Sequence, residues 1–130
     1  MWRLLDPYLA QYNAAKTEMP PILDLEESSV DNMPASQVAT FAWSWLQEVE
    51  AKTNRTPILY IDENMIRVLQ LDARFARYTP WIAAYSGNPP NILGPWLQWV
   101  FWQFTDNGEQ HADTDYFYGD LNALAAICKA

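Results

Sequence analysis

Asp24 and Glu26 stand one residue apart in Ile22-Leu23-Asp24-Leu25-Glu26, a short apolar run that follows two prolines. In a strand the side chains alternate, so the two carboxyls and Ile22 share one face while Leu23 and Leu25 take the other. Two carboxylates held side by side repel, which raises the pKa of one, and aromatic surroundings disfavour charge on the more buried acid. A carboxylic acid kept protonated beside a carboxylate suits the cleavage of a glycosidic bond: one group gives a proton to the leaving oxygen, the other faces the positive charge developing on the sugar. The spacing alone fits a solvated strand terminus or a helix cap equally well, so the rest of the chain has to decide.

Three further apolar runs have strand length: Pro57 to Ile61, Trp81 to Tyr85, and Trp99 to Phe104. Between them lie helical patterns. Leu5, Tyr8, Leu9 and Tyr12 recur at three-and-four spacing in Trp2 to Lys16, a helix interrupted or begun at Pro7; Val38, Phe41, Ala42, Trp45, Leu46 and Val49 describe an amphipathic helix from Pro34 to about Ala51; Met65, Ile66 and Leu69 mark a third. A last short helix opens at Asp120, with Leu121, Leu124 and Ile127 on one face and Asp120 or its neighbour as a plausible cap. Ser28 to Pro34 is polar and reads as a loop, and Asp106-Asn107-Gly108 as a turn. Apolar strands alternating with helices predict an α/β fold, a parallel sheet covered by helices or part of a (β/α) barrel, in which chemistry gathers at the carboxyl ends of the strands. The residues that close the runs are therefore the candidates: Asp24 and Glu26, Tyr60 and Asp62, Tyr85, and Gln103 with Asp106.

The 130 residues suffice for one domain with a real core. Half are hydrophobic and 15% aromatic, and Lys+Arg 8 against Asp+Glu 16 gives a net charge of −8, which argues against a nucleic-acid partner. No apolar run approaches the roughly 18 residues of a membrane span. The first residues lack the basic and apolar regions of a signal peptide. A single Cys and a single His cannot build a structural zinc site or a disulfide framework, so no metal or organic cofactor is expected and Cys128 is read as a packing residue.

Taken together, the segments resemble the glycoside hydrolase family 25 lysozymes. Pro20-Pro21-Ile22-Leu23-Asp24-Leu25-Glu26 is similar to that family's strand ending in Asp-x-Glu, and Thr56-Pro57-Ile58-Leu59-Tyr60 to its next strand. Pro80-Trp81-Ile82-Ala83-Ala84-Tyr85 resembles its Leu-Trp-Ile-Ala-x-Tyr, Trp102-Gln103-Phe104-Thr105-Asp106-Asn107-Gly108 its Trp-Gln-Tyr-Thr-x-x-Gly, and Gly119-Asp120-Leu121-Asn122 its closing Val-Asp-Leu-Asn.

The resemblance implies a muramidase that cuts the β-1,4 bond between N-acetylmuramic acid and N-acetylglucosamine in peptidoglycan, acting on the bacterial cell wall. It implies Glu26 as the catalytic acid and Asp24 as its companion. Asp106 and Asp120 become cleft carboxylates expected beside Glu26, while Tyr60, Trp81, Tyr85, Trp102 and Gln103 line the sugar groove. Relative to the family, an initial Asp-x-Ser strand and two more strands have no counterpart here. A partial barrel of this kind is expected to leave sheet edges that invite self-association, and a glycan-binding chain without turnover is the competing expectation.

Overall fold

The computed structural model describes residues 2–15, 18–27, 32–108 and 113–129, so the polar loop read at residues 28–34 falls partly outside the described residues. Five strands form one sheet in sequence order: β1 (Ile22–Leu25), β2 (Ile58–Asp62), β3 (Thr79–Ala83), β4 (Phe101–Thr105) and β5 (Thr114–Phe117). Four helices accompany them: α1 (Trp2–Ala15), α2 (Ala35–Thr53), α3 (Glu63–Leu69) and α4 (Leu121–Lys129). The α/β reading holds. β1 to β4 are parallel, with Asp24 opposite Tyr60, Tyr60 opposite Trp81, and Ala83 opposite Gln103.

A fifth strand that the apolar runs do not mark is added at the end of this parallel sheet: β5 runs antiparallel to β4, pairing Gln103 with Asp115 and Phe101 with Phe117. Residues 106–113 are too few for the crossover of a dozen or more that a parallel return requires, so the chain turns back directly. The reversal has a consequence for the site: β5 begins at the edge where β1 to β4 finish.

Alternation sorts the strand side chains onto two faces. On one face Leu23, Leu25, Leu59, Ile61 and Ile82 are buried in a single core with Val38, Ala42, Leu46 and Val49 of α2 and Met65, Ile66 and Leu69 of α3. Full burial of each such side chain contributes roughly 1.5–3 kcal/mol relative to exposure, which is what holds the register. The opposite face carries Ile22, Asp24, Tyr60, Trp81, Gln103 and Asp115. α1 packs at the rim of the core, where the Tyr8 ring meets Trp45 edge-on at 5.1 Å and the Tyr8 hydroxyl accepts a hydrogen bond from the Ile22 amide at 3.2 Å. The helix runs through Pro7 rather than starting there: so near the amino terminus, proline removes one intrahelical bond without ending the helix.

The helix ends obey local chemistry. α2 starts at Pro34 and closes on Asn54, whose left-handed φ of 54° lets its amide reach the Glu50 carbonyl at 2.9 Å. α3 is capped by Asp62, which accepts from the Met65 amide at 2.7 Å. β3 begins two residues before the apolar run suggests, taking in Pro80, whose carbonyl still accepts from the Val100 amide at 3.1 Å. A loop of residues 84–100 then crosses beside α3, where Gly94 has a φ of 58° and a Cβ there would stand 2.8 Å from Ile66 Cγ2.

Candidate active site

Four parallel strands ending at one edge put the residues that follow them in one place. Glu26 comes directly after β1, Asp62 closes β2, Tyr85 lies two residues past β3, and Asp106 comes directly after β4. The reversed β5 brings Asp113 to the same edge, one residue before its start. Two adjoining cavities of about 360 and 380 Å³ result. The first is lined by Asp24, Glu26, Tyr60, Trp81, Asp113 and Asp115 among others, and the second by Glu26, Tyr60, Asp62, Tyr85 and Asp106. Because Glu26 and Tyr60 border both, they form one groove with Glu26 at its middle.

The aromatic floor is ordered by hydrogen bonds. Gln103 is almost completely buried, at 5% exposure, and its Oε1 accepts from the Tyr60 hydroxyl at 2.6 Å and from the Tyr85 hydroxyl. Burial first, then the Tyr85 hydrogen bond and the nearby Glu26 and Asp24 charges, push the Tyr60 phenol well above its ordinary value, so it remains a neutral donor. Trp81 stands edge-on to Tyr60 at 5.7 Å, and its indole N–H donates to Asp115 Oδ1 at 2.6 Å, which fixes the ring against the groove. This is a wall for the apolar face of a sugar ring, with polar groups at its margin.

Glu26 stands exposed in acidic surroundings. Partial desolvation, followed by the charges of Asp24, Asp62 and Asp113, raises its pKa. Burial alone raises that of Asp24. Asp115 is raised by burial and by Asp113, against the opposing hydrogen bond from Trp81. Like charges that converge on one groove disfavour one another's ionisation, which is the direction a proton-donating carboxyl requires.

Of the residues singled out from sequence, Asp24, Glu26, Tyr60, Trp81, Tyr85, Gln103 and Asp106 come together in this groove. Trp102 does not. It neighbours Gln103, so alternation turns it to the other side of the sheet, where it is 7% exposed and its indole N–H donates to the Ala84 carbonyl at 2.9 Å. Asp120 does not either: antiparallel β5 carries the chain back to the amino-terminal end of β4, where the Tyr118 amide meets the Val100 carbonyl, and Asp120 caps α4 by accepting from the Ala123 amide at 2.9 Å. The expectation that Asp120 and Glu26 share one cleft is thereby corrected. In its place stand Asp113 and Asp115, which sequence reasoning passed over. Ala112-Asp113-Thr114-Asp115 shares only its Asp113 with the closing Val-Asp-Leu-Asn pattern, whereas Gly119 to Asn122 matches it at Asp120, Leu121 and Asn122, so the motif pointed to the wrong acid.

The family profile described as "Glycosyl hydrolases family 25" matches residues 6–113. The chain belongs to glycosyl hydrolases family 25. The matched stretch includes Asp113 and stops short of Asp120. Among curated relatives, the chain is 27% identical over 125 residues to the uncharacterized protein YegX of Escherichia coli K12, a match that covers 92% of this chain and 44% of that protein. Among solved structures, a muramidase from Acremonium alcalophilum superposes with a TM-score of 0.77 at 25% identity, covering 85% of this chain and 56% of the muramidase. A family 25 lysozyme from Aspergillus fumigatus gives a TM-score of 0.77 at 25% identity, with coverage of 86% and 57%. The chain thus spans about half the length of the proteins it matches.

Proposed function

We propose that this family 25 chain is a muramidase module that hydrolyses the β-1,4 bond between N-acetylmuramic acid and N-acetylglucosamine in cell-wall peptidoglycan. The observation that carries this reading is the position of Glu26: a carboxyl with a raised pKa, at the middle of a groove walled by Tyr60, Trp81 and Tyr85, with Asp24 on the same strand face. Glu26 gives its proton to the oxygen that leaves as the bond to the sugar's anomeric carbon breaks. Asp24 orients the N-acetyl group, whose carbonyl oxygen attacks that carbon from the other side; water then opens the ring so formed, returning a proton to Glu26. Glu26→Gln keeps the size and loses the proton, so clearance of purified cell walls is expected to fall by ~10²–10⁴. Equal clearance by the variant overturns the mechanism.

A second reading, glycan binding without turnover, is favoured by one observation. Among the described residues β1 pairs only with β2, so the Asp24 side of the groove has no further strand beside it. Binding of muropeptides without release of reducing ends by the unaltered chain would decide for that reading.

A further inference from the structure

The sheet face opposite the groove is not uniform. Over β1 and β2 it is covered by α2 and α3, whereas among the described residues no helix packs in the same way on β4 or β5. That face carries a contiguous run of rings, in which Trp102 is buried, Trp99 and Phe104 are half-buried, and Tyr116 and Tyr118 are exposed. Trp99 meets Tyr118 at 5.4 Å and Trp102 at 5.8 Å; Trp102 meets Tyr116 at 5.4 Å; Tyr116 stacks on Phe104 at 4.6 Å. Tyr116 is 54% and Tyr118 60% exposed, and among the described residues neither hydroxyl has a hydrogen-bond partner.

The composition of this surface selects its occupant. No charged side chain belongs to the ladder, so it offers nothing that would pair with a charged polymer or a membrane headgroup. Aromatic faces with unpaired phenolic rims instead match a pyranose, which presents an apolar C–H face and a rim of hydroxyls. The position adds continuity: Asp115 and Gln103 point into the groove while their strand neighbours Tyr116 and Trp102 point out, so one hairpin serves both surfaces. We propose that the Trp99–Trp102–Phe104–Tyr116–Tyr118 ladder is a second glycan-binding platform, which holds an uncharged stretch of polysaccharide outside the cleft. That the polysaccharide is the cell-wall glycan rests on the muramidase reading.

The test is co-sedimentation of the whole chain with insoluble purified peptidoglycan, alongside calorimetric titration with chitotriose, which is short enough to occupy the groove alone. Tyr116→Ala with Tyr118→Ala is expected to lower retention on the insoluble wall roughly tenfold, the loss of two ring contacts of about 0.5–1.5 kcal/mol each, with chitotriose binding unchanged. Tyr118→Ala alone, which loses only the contact with Trp99, is expected to lower it in part, and it serves should the double variant fail to fold. Trp81→Ala is expected to do the reverse. Retention indifferent to both tyrosine variants overturns the platform, as does a dimer in sedimentation velocity that disappears with Tyr118→Ala. Retention that depends on Tyr118 in a chain that never releases reducing ends leaves the platform standing and refutes the muramidase reading; turnover in a chain whose wall retention ignores Tyr118 does the opposite.

Discussion

Two segments that line the groove place acids one residue apart, Asp24-Leu25-Glu26 and Asp113-Thr114-Asp115, and they reach it from opposite chain directions. The first closes a parallel strand whose alternate residues, Leu23 and Leu25, are locked into the core. The second opens an antiparallel strand on the far side of the sheet, on which, among the described residues, no helix packs as α2 packs on β1. The comparison shows that position along a strand has meaning only together with the strand's direction. An acid at the start of β5 and an acid at the end of β1 are neighbours, whereas Asp120, past the end of β5, is carried to the other end of the sheet. It also separates tasks. Glu26 sits where several carboxylates converge, while Asp115 is engaged by the Trp81 indole and acts through the wall of the groove.

The largest expected difference between the two segments is in turnover. Glu26→Gln is expected to remove the ~10²–10⁴-fold contribution of a positioned acid, measured as reducing ends released from cell walls, whereas Asp115→Asn is expected to lower turnover less. Equal losses would erase the distinction drawn here. The stability of the Glu26 variant has a defined sign. A carboxyl whose folded pKa lies above its unfolded value stabilises the fold below the unfolded pKa, and that stability is lost as pH rises through the folded pKa. Glu26→Gln is therefore expected to melt no lower than the parent at neutral pH, and any advantage should vanish toward pH 4. A variant that melts lower at neutral pH would show that Glu26 holds the structure.

Asp113→Asn sharpens the comparison through pH. The Asp113 charge helps to raise Glu26. Its removal is expected to lower the Glu26 pKa and move the alkaline limb of the activity profile to lower pH, with the acid limb carried by other groups. A limb that stays in place means that Asp113 does not act on Glu26. Trp81→Ala is expected to weaken binding of a short chitooligosaccharide by up to roughly tenfold, the worth of one lost aromatic contact. Unchanged affinity would remove Trp81 from the sugar wall. Smallest of all, Asp120→Ala is expected to cost ~1 kcal/mol of stability in urea unfolding, as the loss of a helix cap does, with turnover unaltered. A large loss of turnover there would return Asp120 to the reaction.

The parts of the fold legible in the sequence are those in which a period and a boundary coincide. Leu23 and Leu25 against Ile22 and Asp24 spell a strand with two faces, and Val38 to Val49 spell a helix with one, because burial on one side only forces the repeat. Glu26, Tyr60, Tyr85 and Asp106 are legible as groove-lining residues for the same reason: they close recognisable runs. Trp99-Val100-Phe101-Trp102-Gln103-Phe104 has bulky residues at nearly every position, so its alternation is invisible and Trp102 was assigned to the groove it turns away from. None of the four residues of β5 is fully buried, so no apolar period marks it as a strand.

The sequence by itself determined the four helices, the first four strands, the family and the acid pair on β1, because hydrophobic period, turn residues and local motif are properties of neighbours along the chain. Only the tertiary structure decided that β5 runs antiparallel. That one reversal brings Asp113 and Asp115 to Glu26, sends Asp120 to cap a helix at the opposite end, and leaves Tyr116 and Tyr118 on an uncovered face. Strand direction is set by pairing between residues distant in sequence and by the length of the link between strands. No local pattern at Asp113 or Asp120 contains that information.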